Sequence, residues 1–292
     1  MEAIHRLSRL ERLEERVASV HQGRNIHQHL DLIAGLPYED YASFRHSFNE
    51  VYAMKPDQLQ LGFLKLLKGS PIYQQREEFG IVYQDIPPYE VLMTRWISYQ
   101  DVLRLKQVED MVERYYNSLQ FEASVRWLVE KWDTPFDFYQ ELGAYYQEKG
   151  YTGLHQSRMQ NYQILQEFAE QKQGIDLAVL RELLLYDLYA RENLKTRPDF
   201  LKCPVSDAQK EWNHQFYYDE ERRLQYLPEY QAYDAKQTMR MTHIEHFTFT
   251  VDQFVADGTW NRQTCHLLFD YQQRNPLSHQ CRIIRIEDGQ KS

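Results

Sequence analysis

The chain has 292 residues, 42 % of them hydrophobic and 26 % charged, which is the composition of an ordinary folded globular protein. Its 34 basic against 43 acidic residues give a net charge of −9, which argues against a phosphate-binding surface and predicts no nucleic-acid partner. No apolar run reaches the roughly 20 residues that span a bilayer. Neither a secretory signal nor a disulfide framework is visible, so we expect a soluble cytoplasmic protein without membrane partners.

The first 70 residues alternate between helical and strand-like patterns. Apolar residues at spacings of three and four predict a helix over 3–20, and a strand-like run over 27–34 follows and leads into a Gly-Leu-Pro turn. A second helix is predicted over 41–54 and a second strand over 59–67. Helix, strand, helix and strand joined by short connections indicate a βαβ unit in a parallel sheet.

The rest of the chain is predicted to be mainly helical with a β-like tail. Helices are expected over 98–116, 122–132, 135–150, 155–171 and 175–192, with Ser98 and Thr134 as N-caps. The segment 195–233 has no pattern that assigns it. Alternating or apolar runs near 246–251, 265–271 and 282–286, separated by turn residues, predict a small antiparallel meander.

Residues 26–72 carry a family resemblance. The segment Asp31-Leu32-Ile33-Ala34-Gly35-Leu36-Pro37 and the later Lys65-Leu66-Leu67-Lys68-Gly69-Ser70 resemble the last two βα units of the radical S-adenosylmethionine (SAM) barrel, in particular of its cobalamin-binding members. The remainder resembles the domain of unknown function that follows such barrels, the family numbered 4080.

This resemblance implies the fold class and the domain division. We expect α/β and α structure, with a partial radical-SAM-type βα barrel segment, a fragment of a TIM-like barrel, over 1–82. A mainly helical domain of unknown function with a small antiparallel β tail is expected over 83–292.

The resemblance also implies binding residues for SAM. In the family, the strand before the Gly-Leu-Pro turn carries a GxIxGxxE-like motif that contacts the adenine, and Ile33 and Gly35 match it. Asp31 stands where the motif has its first glycine, and Glu39 lies one place later than the acidic position. The cofactor-binding residues expected from the resemblance are therefore Ile33, Gly35, Asp31 and Glu39.

Two histidines extend this group along the same strand. His27 and His29 are two residues apart and would share one strand face with Asp31. If that face is turned inward, the histidines are candidates for a substrate pocket, where they could orient a substrate or move protons near neutral pH. The alternative is a partly solvated strand end with no such role.

The cofactors of the family are only partly matched by motifs of this chain. The full-length family uses SAM, a [4Fe-4S] cluster and cobalamin. The cluster needs thiolate ligands in a CxxxCxxC triad, whereas the cysteines here are at 203, 265 and 281, and the cobalamin motif DxHxxG is also absent. No catalytic residue is assigned, and we do not expect this chain to be active alone.

The missing parts lead to three structural alternatives and two functional ones. Because two βα units cannot close a barrel, the chain is truncated or split, its N-terminal region packs differently, or another chain supplies the barrel. The functional hypothesis is the C-terminal part of a cobalamin-dependent radical SAM enzyme that helps to bind SAM and substrate. Its partner would be an N-terminal radical SAM and cobalamin segment or chain. The alternative is a non-catalytic partner-binding module or a truncated remnant.

The cysteines and histidines of the tail allow a zinc site as a weaker alternative. Cys203, Cys265 with His266, and Cys281 could be combined with His243, His246 and His279, but none has the spacing of a zinc knuckle. On a strand, His243 and His246 would point to opposite faces. We therefore predict no metal site, with these residues as structural groups.

Overall fold

The computed structural model describes residues 10–23, 26–194, 196–202, 205–276 and 278–287. The predicted beginning of the first helix and Cys203 lie outside these residues. The chain is a mixed α/β protein, and its described residues are about half helical, with three small sheets. It forms two compact units. The first runs to Ser118 and includes Leu128–Gln156, and the second consists of Leu119–Trp127 and the chain from Ser157 onward.

The first unit contains a parallel pair of strands, a short hairpin and long helices. Its elements are α1 (Leu10–Gly23), β1 (His29–Ala34), α2 (Tyr41–Ala53), β2 (Gln58–Phe63), α3 (Pro71–Gln74), β3 (Val82–Tyr83), β4 (Val91–Met93), α4 (Tyr99–Val112), a π-helix (Glu113–Asn117) and α6 (Pro135–Glu148). Helix α5 (Glu122–Val129) lies mostly in the second unit.

The second unit is built of helices around an antiparallel sheet. Its further elements are α7 (Arg158–Glu170), α8 (Leu177–Arg191), a 3₁₀ turn (Asp199–Leu201), α9 (Asp207–Tyr218), α10 (Glu220–Tyr226), a second 3₁₀ turn (Pro228–Tyr230), α11 (Ala235–Met241), β5 (Thr242–Phe247), α12 (Val251–Asp257), β6 (Cys265–Arg274) and β7 (Cys281–Ile286).

Side-chain caps set where most helices begin. The Ser98 hydroxyl accepts a hydrogen bond from the Asp101 backbone N–H, and the Ser98 backbone N–H donates to the Asp101 carboxylate. These two bonds make a capping box at the start of α4. Thr134 caps α6, with Pro135 at its first position. Both predicted N-caps are confirmed. Ser206 forms a further capping box with Gln209 at the start of α9, within the segment that the sequence pattern left unassigned.

The predicted βαβ unit is confirmed. Strands β1 and β2 pair in parallel, with His29 opposite Gln58 and Ala34 opposite Phe63, and α2 connects them. The face that carries Leu59, Leu61 and Phe63 is buried, and α2 and α4 pack against the pair. Apolar burial against these helices therefore fixes the register of the two strands.

The antiparallel meander of the tail is confirmed with one shift. The sheet has the order β5-β6-β7, but its first strand is Thr242–Phe247 and the chain from Val251 is helical. The predicted run 246–251 is therefore wrong over its second half. Thr248 donates from its backbone N–H and its hydroxyl to the Glu182 carboxylate, which takes the chain out of the ladder after Phe247.

Helices cover both faces of this sheet. Helix α8 packs on β6 and β7, and α11 packs on β5 and β6. One apolar cluster joins residues of α9 to residues of all three strands, and it contains Phe216, Tyr217, Leu227, Tyr230, Ala235, Ile244, Leu268 and Ile286. Among the described residues, no helix is long and apolar enough to cross a membrane.

Candidate functional site

Asp31 and Ile33, two of the four residues expected from the SAM motif, lie on the less buried face of the parallel pair. Along β1, His29 and Asp31 are exposed and Ile33 is half-buried, whereas Ala34 is fully buried. Paired residues of parallel strands share a face, so Asp31 lies beside the exposed Gln60 and Ile33 beside Gly62. This surface, formed by His29, Asp31, Ile33, Gln60 and Gly62, is called the polar face below.

The two candidate pocket histidines touch each other at the start of this face. The rings of His27 and His29 meet edge to face, with centroids 4.7 Å apart. Asp57 anchors the entry to β1 by accepting a hydrogen bond from the Gln28 N–H at 2.7 Å, and its carboxylate lies 4.0 Å from His27 Nδ1. Both histidines are exposed, so they are available to a ligand on the polar face.

Gly35 ends β1 in a conformation that favours glycine. Its φ is +86°, and a Cβ at this position would lie 2.7 Å from Val91 Cγ1. Val91 lies there because its N–H donates to the Leu64 carbonyl at 2.8 Å, so strand β4 continues the pairing of the chain after β2 once β1 has ended. The close approach to Gly35 is thus made by a side chain of this protein.

Glu39 follows the Gly-Leu-Pro turn and is partly enclosed. Its backbone N–H donates to the Leu36 carbonyl at 3.2 Å, and its Oε2 is buried with no hydrogen-bond partner among the described residues. Burial, with a smaller contribution from the neighbouring Asp40, raises the pKa of this carboxyl to about 7. Glu39 is therefore able to hold or release a proton near neutral pH.

The two outer edges of the pair differ. Asn117, at the end of the π-helix, accepts a hydrogen bond from the Leu59 N–H and donates to the Leu59 carbonyl, each at 2.9 Å. The Asn117 side-chain amide also donates a hydrogen bond, at 2.8 Å, to the carboxylate of Glu113, which lies one helical turn earlier. The side-chain amide therefore replaces a neighbouring strand at the start of β2, whereas no described strand pairs with the outer edge of β1.

A cleft between α4 and α6 is a second candidate site in the first unit. It has a volume of about 640 Å³, the size of small-molecule pockets, and its lining includes Leu103, Met111, Tyr146 and Leu154. The Arg114 guanidinium connects residues that line this cleft. It donates hydrogen bonds to Asp110 at 2.8 Å and to Gln156 at 2.7 Å, and it lies over the Tyr146 ring.

The described cysteines do not form a ligand set. Cys265 and Cys281 are buried, and their thiols donate to the backbone carbonyls of Phe249 and Tyr189 respectively. Burial raises the pKa of Cys265 to about 11 and that of Cys281 to about 12, which disfavours the thiolates that metals require. No group of three or more possible metal ligands occurs among the described residues.

The histidines of β5 belong to two different environments, as alternation predicts. His243 stacks on Tyr189 and contacts the buried carboxylate of Glu245. His246 bonds His266 through their Nδ1 atoms at 2.6 Å and Asn213 through Nε2 at 2.7 Å. Burial, with the neighbouring His266, lowers the pKa of His246 to about 4, so this imidazole is neutral at physiological pH and acts as a structural group.

Two residues that matter at the parallel pair carry no sequence signal. Val91 meets Gly35 from 56 positions away, and Asn117 meets Leu59 from a distance of 58 positions. Both are ordinary residues in ordinary local contexts. Only the three-dimensional path of the chain shows that Val91 lies against Gly35 and that Asn117 closes part of the β2 edge.

The fold and the site together define a mixed α/β protein in which a parallel βα pair precedes a helical region with an antiparallel sheet. Residues 77–269 match the family described as "Protein of unknown function (DUF4080)". The chain belongs to this family. The match begins after the parallel pair and ends within β6. A search of curated proteins finds no match.

Proposed function

We propose that the chain is the C-terminal part of a cobalamin-dependent radical SAM enzyme and helps to bind SAM and substrate, while another segment or chain carries the cluster and the cobalamin. The observation that carries the proposal is the parallel β1–α2–β2 unit. Two parallel strands joined by a helix are the repeating unit of βα barrels, and the polar face carries Asp31 and Ile33, with Gly35 and Glu39 in the turn that follows β1.

The polar face suits SAM, which combines an aromatic base with charged and hydroxylated groups. Ile33 offers a half-buried apolar surface for the flat adenine, and Asp31 offers an exposed carboxylate two residues earlier on the same face. His27 and His29 add exposed imidazoles at the far end of the strand. Ligands of α/β folds bind near the carboxyl ends of such strands.

The described residues do not suit the other two groups. Cys265 and Cys281 are buried thiols bonded to backbone carbonyls in the second unit, and no cluster of three possible ligands accompanies them. The chain also lacks the cobalamin motif. Both groups would therefore be held by the partner.

The remaining roles fall to the protein's own residues. In this enzyme class SAM serves as the source of a 5′-deoxyadenosyl radical or of a methyl group. Ile33 and Asp31 would bind and orient SAM, Gly35 shapes the turn that follows, and Glu39 holds a proton near the carboxyl end of β1. The cleft between α4 and α6 is our candidate for substrate binding, since it lies within the family-matched region.

A non-catalytic partner-binding module is the second candidate function. The hairpin of β3 and β4 favours it, because Val82 and Met93 are cross-strand neighbours that are both exposed, at 48 % and 39 %. Ile86 in the connecting loop is 66 % exposed. Clustered exposed apolar side chains are typical of protein contact surfaces.

Isothermal titration of the purified chain with SAM tests the proposed function. We expect measurable binding to the chain, and at least tenfold weaker binding to Ile33→Asp, because a carboxylate in place of the isoleucine removes the apolar contact with adenine. Ile86→Asp is the matched control, since it makes the same substitution at an exposed site on the hairpin.

Two results would contradict the proposal. One is equal SAM affinity of Ile33→Asp and the unaltered chain, and the other is equal loss in Ile33→Asp and Ile86→Asp. If the chain alone does not bind SAM, the titration is repeated with a cluster-bearing radical SAM barrel segment added in trans. Absence of binding there as well would reject the role of the polar face.

A further inference from the structure

The outer edge of β1 presents unused backbone groups. The ladder to β2 uses the carbonyls of Gln28 and Ala34, which accept from Gln58 N–H at 3.0 Å and Leu64 N–H at 2.9 Å. Successive residues of a strand direct their peptide groups to opposite edges. The N–H and C=O groups of His29, Asp31 and Ile33 therefore point away from β2, where no described strand pairs with them.

The opposite side of the sheet is partly closed. Asn117 occupies both backbone groups of Leu59, the first outward-facing residue of β2. The π-helix that carries Asn117 packs against this strand. Only the open edge of such a sheet can pair with a second copy. Self-association through that edge therefore ends at a dimer and does not continue into a fibre.

The sequence of β1 is complementary to itself in one antiparallel register. When two copies pair about Leu30, His29 of each copy lies opposite Asp31 of the other, and both residues direct their peptide groups into the shared edge. The half-buried Leu30 side chains meet at the centre. Pairing about Asp31 would instead oppose two carboxylates, which is destabilising.

We propose that two copies of this chain associate through the outer edge of β1, in the register that pairs His29 with Asp31 twice. The product is a four-stranded sheet in the order β2-β1-β1-β2. The pairing of an imidazole with a carboxylate selects the register, and the obstructed edge of β2 limits the assembly to a dimer. The contact is small, so the dimer is weak and depends on protein concentration. The inference goes beyond the proposed function, which concerns the polar face. Because a strand of a barrel-completing partner would pair with this same edge, the dimer is the form of the chain without that partner.

Sedimentation equilibrium of the full chain, over a concentration series and without SAM, tests this proposal. The unaltered chain should show a monomer–dimer equilibrium. His29→Asp and Asp31→His each place like side chains opposite each other at two positions, and each should raise the dimer Kd at least tenfold. The double variant H29D/D31H restores both complementary pairs and should return the Kd to within about twofold of the original value.

Thermal unfolding followed by circular dichroism is the control for folding. Because both side chains are exposed, all four proteins should unfold at similar temperatures. Hydrogen exchange gives a second readout, since the Asp31 and Ile33 amides should become protected as the protein concentration rises. A chain that stays monomeric over the series, or a double variant as weak as the single variants, would overturn the proposal. If the protein is monomeric and the edge amides exchange freely, the homodimer is rejected and the edge is available to a strand of another polypeptide.

Discussion

The parallel pair of the first unit and the antiparallel sheet of the second differ in how their faces are covered. Residues 265–271 of β6 are all buried, because α8 packs on one face of the sheet and α9 and α11 on the other. In β1 exposed and partly buried residues alternate instead, and His29 and Asp31 are accessible. The antiparallel sheet is a structural core, whereas the parallel pair keeps a polar surface and an edge for other molecules.

The comparison shows where substitutions should affect stability and where they should affect binding. Buried polar groups in a covered sheet or helix contact have their hydrogen bonds within the chain, and their loss is costly. Polar groups of the parallel pair are mostly solvated, so their loss should leave the fold intact. Losses of stability should therefore decrease from the buried hydrogen bonds of the second unit to the contacts at the margins of the parallel pair.

The largest effect is expected at Asp187 in the second unit. Its buried carboxylate accepts hydrogen bonds from the Ala123 and Ser124 N–H groups, each at 2.9 Å, and from the Ser124 hydroxyl at 2.6 Å. Asp187→Ala leaves these donors at the start of α5 unpaired, and should reduce the free energy of unfolding by about 3 kcal/mol. Urea denaturation measures this, with Asp187→Asn as the variant that keeps one acceptor and should lose less.

Gly35 provides the next test, in the parallel pair. Gly35→Ala places a Cβ against Val91 in addition to the strain of φ at +86°, and should cost about 2 kcal/mol of unfolding free energy. Gly69→Ala is the matched control, because φ there is +94° and nothing lies within 4 Å of the added atom. Equal losses in the two variants would show that the contact with Val91 has no energetic role.

A smaller effect is expected at Asn117. Asn117→Ala frees the Leu59 N–H and carbonyl at the β2 edge, and should cost about 1 kcal/mol. Hydrogen exchange should show faster exchange of the Leu59 amide, with the amides of the β1–β2 ladder unchanged. Asn117→Asp retains the acceptor for Leu59 N–H and should protect that amide partly. Unchanged Leu59 exchange in the alanine variant would contradict the assigned contact.

At Glu39 the expected effect is a pH dependence rather than a fixed loss of stability. Burial raises the pKa of this carboxyl from 4.5 in the unfolded chain to about 7 in the fold. Its contribution to stability is therefore complete below pH 4.5 and is lost as the pH rises through about 7. Glu39→Gln should remove this part of the pH dependence, as measured by urea midpoints between pH 4 and 8. Parallel curves for the two proteins would show that Glu39 is not buried as described.

Local sequence patterns predicted the parts of the fold that local interactions determine. Apolar spacing and the N-caps Ser98 and Thr134 gave the βαβ order and the start of α4 and α6. The sequence pattern does not predict helix α9, because only Phe216 and Tyr217 of its twelve residues are buried. Two buried residues give little of the apolar periodicity that indicates a helix. The first tail strand was placed too late because Glu182, far away in the sequence, binds Thr248.

The candidate site was predictable only in part. Alternation predicts His27, His29 and Asp31 on one face of a strand. His29 and Asp31 are exposed on one face of β1, whereas His27 precedes the strand. The contact of Val91 with Gly35 and the hydrogen bonds of Asn117 join segments more than 50 residues apart. Such contacts depend on how the helices pack and have no local signature, so no spacing rule could have predicted them.

The π-helix over Glu113–Asn117 has a consequence for the evolution of this sheet. A π-turn holds one residue more than the corresponding α-turn, and each residue turns a helix by about 100°. Deleting one of residues 114–116 would therefore restore a regular α-turn and leave the asparagine facing Leu59. The length of this helix can thus change by one codon while the side-chain amide keeps its place at the β2 edge.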